Sequence, residues 1–177
     1  TLQLLLFPCH VRVRNKYKES IGMFHSIKFI CLSFVIVLSG CATVDLEDAA
    51  MDVAAKKFNP PSPGNSGLYI FRNMGVGTAL KKDIRLNGEC IGESAPSIYF
   101  YNEVAGNQEH EISTESEFSP NKVYLPTLAG KNYFVENYIT MGAFVGGANL
   151  RIIEEAEGKD AVMKLKLAKQ GNCNSQQ

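Results

Sequence analysis

The chain has 177 residues, which is enough for one ordinary domain once any targeting segment is set aside. Apolar residues make up 45% and charged residues 20%, a composition that excludes a disordered chain. Residues 1–40 contain five bases and one acid, whereas residues 41–177 contain 13 bases and 17 acids, a net charge of −4. Nucleic-acid binding is therefore not expected, because phosphate recognition requires clustered Lys and Arg.

A secretory signal is predicted at the beginning of the chain. From Met23, a short polar start with Lys28 leads into ten residues without charge, 29–38. This run is shorter than the roughly 20 residues of a membrane-spanning helix and has the length of a signal-peptide core. A buried strand or helix is the alternative. We interpret residues 23–40 as the signal peptide, and residues 1–22 as an extended basic n-region or translated upstream sequence, with Met23 the favoured start.

The signal ends in Leu38-Ser39-Gly40-Cys41, which resembles the lipobox of bacterial lipoprotein precursors. A Cys thiol can take a diacylglycerol as a thioether, and the small Ser39 and Gly40 can enter a peptidase cleft. We predict cleavage before Cys41 and stable anchoring through diacylglycerol and acyl chains such as palmitate, since two or more chains hold a protein on a membrane. An Asp directly after the cysteine would favour retention at the inner membrane, but this position is Ala42. The predicted location is therefore the outer membrane, facing the periplasm.

A lipid-anchored helix and linker is predicted over residues 41–66. Residues 44–58 place acids in the first turns and Lys56-Lys57 in the last, as the helix dipole favours. A disordered tether is the alternative. Residues 59–67, NPPSPGNSG, form a linker rich in helix and strand breakers.

Residues 67–170 predict a β-rich domain, followed by a tail over 171–177. Asn87-Gly88 is the strongest hairpin signal, because both positions of such a turn favour positive φ. The predicted strands lie at 68–73, 83–86, 89–92, 97–104, 109–114, 122–128, 132–140 and 150–154.

Turn signals about every ten residues are typical of a small sandwich or barrel. Residues 155–169 predict a C-terminal helix with acids early and lysines late. The alternation of Met163, Leu165 and Leu167 leaves a last strand as the alternative. The predicted fold is thus mainly β, a small β-sandwich or barrel-like domain with a short N-terminal helix or tether and a C-terminal helix.

Several segments together resemble a family of uncharacterised bacterial lipoproteins, domain of unknown function 2846. They are FNPPSPGNSGLYIFRN, DIRLNGECIGE, SIYFYNEVAGNQEHEISTESE, LAGKNYFVENYITMGAFVGGANLRII and KLKLAK. The resemblance covers roughly residues 58–169 and implies a small β-rich domain without an activity that could be transferred. At residues 105–110 the chain reads AGNQEH where the family usually has Pro-Pro-Gly-Lys-His, which indicates a less rigid and less basic turn.

Two cysteines beyond the lipobox, Cys90 and Cys173, can form a disulfide in an oxidising compartment. The alternative is one buried inert thiol and one exposed thiol in the tail. No metal site or other cofactor is expected, because the cysteine spacing is not that of a zinc site and His110 is the one histidine after Cys41.

His110 lies among glutamates, which permits the hypothesis of a general base oriented by a carboxylate. A solvated strand face is the favoured interpretation. The glutamates are Glu109, Glu111, Glu115 and Glu117. Residues 142–147, GAFVGG, lack the Lys-Ser/Thr of a phosphate loop and predict a hairpin or bulge.

The predicted function is a lipid-anchored, non-enzymatic binding or structural module of the bacterial envelope. One alternative is an envelope enzyme that uses His110 with a nearby Glu. Another is an inhibitor or accessory subunit of an envelope assembly. The predicted partners are the membrane, through the lipid, and a protein of the envelope.

Overall fold

The structure is a computed structural model that describes residues 42–116, 120–141, 146–171 and 173. The predicted signal peptide, the lipobox with Cys41, and the apolar residues 142–145 lie outside the described residues. None of the helices within the described ranges has the length and hydropathy needed to cross a bilayer.

The described ranges contain two helices and nine strands. Helix α1 (Ala49–Ala55) precedes the first strand, and α2 (Glu155–Val162) precedes the last. The strands are β1 (Asn65–Arg72), β2 (Lys82–Leu86), β3 (Glu89–Ser94), β4 (Ile98–Ala105), β5 (Glu109–Thr114), β6 (Asn121–Pro126), β7 (Asn132–Met141), β8 (Gly146–Ile153) and β9 (Lys166–Leu167).

The strands form two sheets that pack as a sandwich. One sheet has the order β8-β7-β1-β4-β9, and the other has the order β3-β2-β5-β6. The pairs β1–β7 and β4–β9 are parallel, and the remaining neighbours are antiparallel. The prediction of a mainly β fold is confirmed, and of its two forms the sandwich is the one observed.

Strand β1 runs through the middle of the five-stranded sheet and is covered on both faces. Leu68 and Ile70 belong to the core between the two sheets. Tyr69 and Phe71 belong to a second core between the five-stranded sheet and the helices. Successive side chains of a strand point to opposite faces, so a strand buried on both sides reads as a continuous apolar run.

The Asn87-Gly88 turn joins β2 to β3 as predicted. Asn87 has a φ of 52° and Gly88 a φ of 84°, both in the left-handed region. The two residues form the turn of a hairpin in which Leu86 pairs with Glu89.

The C-terminal helix is shorter than predicted. It ends at Val162, and the chain continues into β9, which pairs in parallel with β4. The Lys166 N–H donates to Ser97 O at 3.1 Å, and the Ala168 N–H donates to Tyr99 O at 2.9 Å. The free edge of β4 offers these carbonyls, and a strand along that edge satisfies backbone groups that would otherwise lack partners.

Candidate functional site

The chain before α1 lies along the edge of the five-stranded sheet. We call residues 42–48 the anchor segment. The Lys169 N–H donates to Asp45 O at 2.9 Å, and the Glu47 N–H donates to Leu167 O at 2.9 Å. The part of the predicted helix before residue 49 is therefore extended backbone paired with β9, because the strand edge supplies hydrogen bonds that a short helix start would not.

A buried carboxylate fastens α1 to the same edge. Asp52 is 8% exposed, and its Oδ1 accepts from Tyr99 Oη at 2.9 Å and from the Leu167 N–H at 3.1 Å. Lys56 Nζ lies 2.9 Å from Oδ2. Burial opposes ionisation of Asp52, but the hydrogen bonds from Lys56, Tyr99 and Leu167 outweigh it and lower the pKa. The carboxylate is thus charged at neutral pH and holds helix and sheet together.

An apolar groove opens between α1 and the five-stranded sheet. Its volume is about 300 Å³, at the small end of ligand sites and enough for one side chain. Met51 and Ala54 of α1 form one wall, Tyr69 and Tyr101 form the floor, and Glu103 lies at the rim. We call this feature the aromatic groove.

The floor of the aromatic groove is a packed layer of rings. The ring centroid of Tyr69 lies 4.9 Å from that of Phe134 and 4.7 Å from that of Tyr101. Tyr69 Oη donates to Ala55 O at 2.9 Å, which joins the floor to α1. Burial, followed by the nearby Glu103, raises the pKa of Tyr101 to about 12. The floor is therefore closely packed and uncharged at neutral pH.

Glu103 places a negative charge at the rim of the groove. Its carboxylate accepts from the Ser62 N–H at 3.1 Å, from Asn65 Nδ2 at 3.3 Å and from Tyr101 Oη at 3.3 Å. Hydrogen bonds, those from Ser62 first, lower the pKa of Glu103. The groove thus combines an apolar interior with a carboxylate whose position is held by neighbouring donors.

The prediction that His110 lies on a solvated strand face is wrong. His110 is 2% exposed and shares its face of β5 with the buried Ile112. Its Nδ1 lies 3.0 Å from Asn87 Nδ2, and its Nε2 lies 2.8 Å from Ala105 O. Because the amide nitrogen of Asn87 can only donate, the contacts correspond to the neutral ring with its proton on Nε2. The imidazole joins the β2–β3 turn to the end of β4.

The glutamates beside His110 have other surroundings. Glu109 is exposed, and Glu111 accepts from Lys122 Nζ at 3.0 Å on the face opposite to His110. Glu115 lies 3.7 Å from Lys82 Nζ, and Glu117 lies outside the described residues. The general-base hypothesis therefore has no His–Glu hydrogen bond among the described contacts.

The structure joins Cys90 and Cys173 in a disulfide, with a Cα–Cα distance of 6.0 Å. The bond links the beginning of β3 to the tail of the chain. The part of the chain that the structure describes contains no group of three or more potential metal ligands.

The aromatic groove was not predicted from the sequence. The segment SIYFYNEV did contain a signal, because Tyr99, Tyr101 and Glu103 alternate and so point to one face of β4. What the sequence did not indicate is that α1 covers only part of this face.

The fold and the groove define a small β-sandwich module whose anchor segment is hydrogen-bonded to a sheet edge. The chain belongs to the family described as "Protein of unknown function (DUF2846)", whose model matches residues 62–148. An uncharacterized protein of Haemophilus influenzae (strain ATCC 51907 / DSM 11121 / KW20 / Rd) is 47% identical over 137 residues, which cover 77% of this chain and 81% of the relative. No solved structure matches the chain.

Proposed function

We propose that this protein is a lipid-anchored, non-enzymatic module of the bacterial envelope that binds a protein partner through the aromatic groove. The lipid is attached at Cys41 after cleavage at the lipobox, and the domain faces the periplasm from the outer membrane. The lipobox directly after an apolar run of signal-peptide length supports the anchor.

The observation that carries the proposal is the position of the groove relative to the anchor. Helix α1 begins eight residues after Cys41 and forms one wall of the groove. The anchor segment in between is hydrogen-bonded to the sheet edge. The lipid and the binding surface therefore belong to one folded unit, so a bound partner is held close to the membrane.

The chemistry of the groove indicates what the partner presents. The uncharged aromatic floor and Met51 suit an apolar side chain, and the carboxylate of Glu103 suits a neighbouring Lys or Arg. About 300 Å³ is too small for most cofactors but fits one inserted side chain. A protein surface with an apolar residue beside a cation is the occupant that matches both features.

The surroundings of His110 support a structural role for this side chain. Both ring nitrogens lie within hydrogen-bond distance of groups of the fold, Asn87 and Ala105. A general base needs a ring nitrogen that reaches the substrate. The arrangement therefore favours a binding module over the alternative of an envelope enzyme that uses His110.

Replacing Cys41 by Ala tests the anchor. We expect the variant to incorporate no radioactive fatty acid and to remain as an uncut or soluble precursor, because the thiol that accepts the lipid is gone. Cys31→Ala is the matched control, since residue 31 lies in the predicted signal peptide and its loss leaves Cys41 intact. Labelling of the Cys41→Ala protein at the wild-type level would contradict the lipoprotein proposal.

A pair of substitutions on α1 tests the groove. Met51→Glu places a charge in the apolar groove, whereas Val53→Glu places the same charge on an exposed position of the same helix that does not line it. We expect Met51→Glu to reduce partner recovery about tenfold, which corresponds to about 1.4 kcal/mol. The measurement is quantitative mass spectrometry of proteins purified with the lipidated chain from membranes. Equal recoveries with the two variants would exclude the groove as the binding surface.

The identity of the recovered protein also distinguishes the proposed function from the alternative of an inhibitor or accessory subunit. An enzyme whose activity falls on binding, or a subunit of a larger envelope assembly, would favour the inhibitor or accessory alternative. Both outcomes keep the groove as the contact surface.

A further inference from the structure

The loop between β1 and β2 contacts Ala42, the residue that follows the proposed site of lipid attachment. We call residues 73–81 the anchor loop. The Ala42 N–H donates to Thr78 O of this loop at 3.1 Å. Ala42 is covalently joined to Cys41, and consecutive Cα atoms are about 3.8 Å apart. With the lipid on Cys41, the surface of the bilayer therefore meets the anchor loop.

The tip of the anchor loop is apolar and exposed. Met74 is 67% exposed and Val76 is 60% exposed. Residues 73–80 carry no charged side chain. Exposing two large apolar side chains to water is unfavourable, whereas the interface of a bilayer accommodates them.

A buried guanidinium holds this loop in position. Arg72 is 2% exposed, its Nη1 donates to Leu80 O at 2.8 Å, and its Nη2 donates to Gly77 O at 2.6 Å. Gly77 has a φ of +75° and packs so closely on Ile139 that a Cβ would lie 2.9 Å from its Cγ2. Hydrogen bonds and close packing thus hold the base of the loop in place, and this base supports the apolar tip.

We propose that Met74 and Val76 insert into the interface of the bilayer that holds the Cys41 lipid. The inference rests on the proposed lipid anchor and adds a second point of attachment to it. A lipid alone leaves a domain free to rotate, whereas a lipid and an apolar loop beside it set the orientation of the domain. Because residues 73–80 are uncharged, the contact is apolar and independent of ionic strength.

A single tryptophan tests this contact, since the natural chain contains none. Val76→Trp is introduced into the lipidated full chain, which is reconstituted into vesicles with phospholipids brominated on the upper acyl chain. Tyr124→Trp is the matched control, because Tyr124 is exposed and pairs with Glu111, at the Asn87 end of the four-stranded sheet and away from the anchor loop.

Brominated lipid is expected to quench the fluorescence of Val76→Trp, with a shift to shorter wavelength, and to leave Tyr124→Trp unchanged. The quenching is expected to persist in 1 M salt, where the Debye length is about 3 Å. Equal quenching at both positions overturns the loop contact and leaves the anchor intact, provided that the protein carries lipid on Cys41 and floats with the vesicles. Protein without lipid on Cys41 overturns both proposals. Loss of quenching at high salt contradicts an apolar contact.

Discussion

Removal of the Cys90–Cys173 disulfide is expected to lower the free energy of unfolding by about 3–5 kcal/mol. The two cysteines are 83 residues apart, so the bond closes most of the domain into one loop. In the chain-entropy description, the cross-link restricts the unfolded chain, and its loss makes unfolding more favourable. The bond also fastens the tail to β3.

The measurement is the urea midpoint of a soluble chain from residue 42 onward, with Cys90 and Cys173 both replaced by Ser. The variant should unfold at a lower urea concentration than the oxidised wild type, and reductant should bring the wild type to the same midpoint. Reductant should leave the double variant unchanged, which controls for effects elsewhere. Identical midpoints for the oxidised wild type and the variant would show that the bond does not stabilise the fold.

Replacement of Arg72 by Met is expected to cost about 2–4 kcal/mol, because three backbone carbonyls lose their donor inside the protein. Besides Leu80 O and Gly77 O, the guanidinium donates to Ser94 O at 3.2 Å. Methionine fills a similar volume, so the loss reports hydrogen bonds more than a cavity. The free energy of unfolding of Arg72→Lys should lie between those of the wild type and Arg72→Met, since an ammonium lacks the planar fork that reaches several acceptors.

The same urea series gives the values for Arg72→Met and Arg72→Lys. Lys131→Met is the control, because this exposed lysine at a turn should change the midpoint little. In the lipidated chain, Arg72→Met should also weaken the quenching at position 76, since the base of the anchor loop is no longer held. A midpoint of Arg72→Met equal to that of the control would mean that the carbonyls find other partners.

Local patterns were sufficient where short segments decide the backbone. The Asn87-Gly88 hairpin follows from two residues that tolerate positive φ, and both have it. The strand Glu109–Thr114 has the predicted bounds, and it begins shortly after the turn residues Ala105-Gly106-Asn107. These features need no knowledge of distant residues.

Local sequence patterns were insufficient where an element distant in the chain determines the backbone conformation or the burial of a residue. The charges of residues 163–169 are those of a helix end. Within this stretch β9 forms instead, because the edge of β4 offers hydrogen-bond partners to its backbone. His110 has charged neighbours and looks solvated, yet the opposite sheet covers its face of β5. The face of a strand that becomes the core depends on the sheet that packs against it.

The sequence by itself determined the family, the mainly β fold and the turn at Asn87-Gly88, because composition, motif order and local backbone preference are properties of neighbouring residues. The tertiary structure alone decided where the anchor segment lies, which ring faces become the aromatic groove and how Arg72 supports the anchor loop. These features join residues that are far apart in the chain, such as Asp45 and Lys169. Their contacts exist only after the two sheets and the sheet edge have formed, so no local pattern contains them.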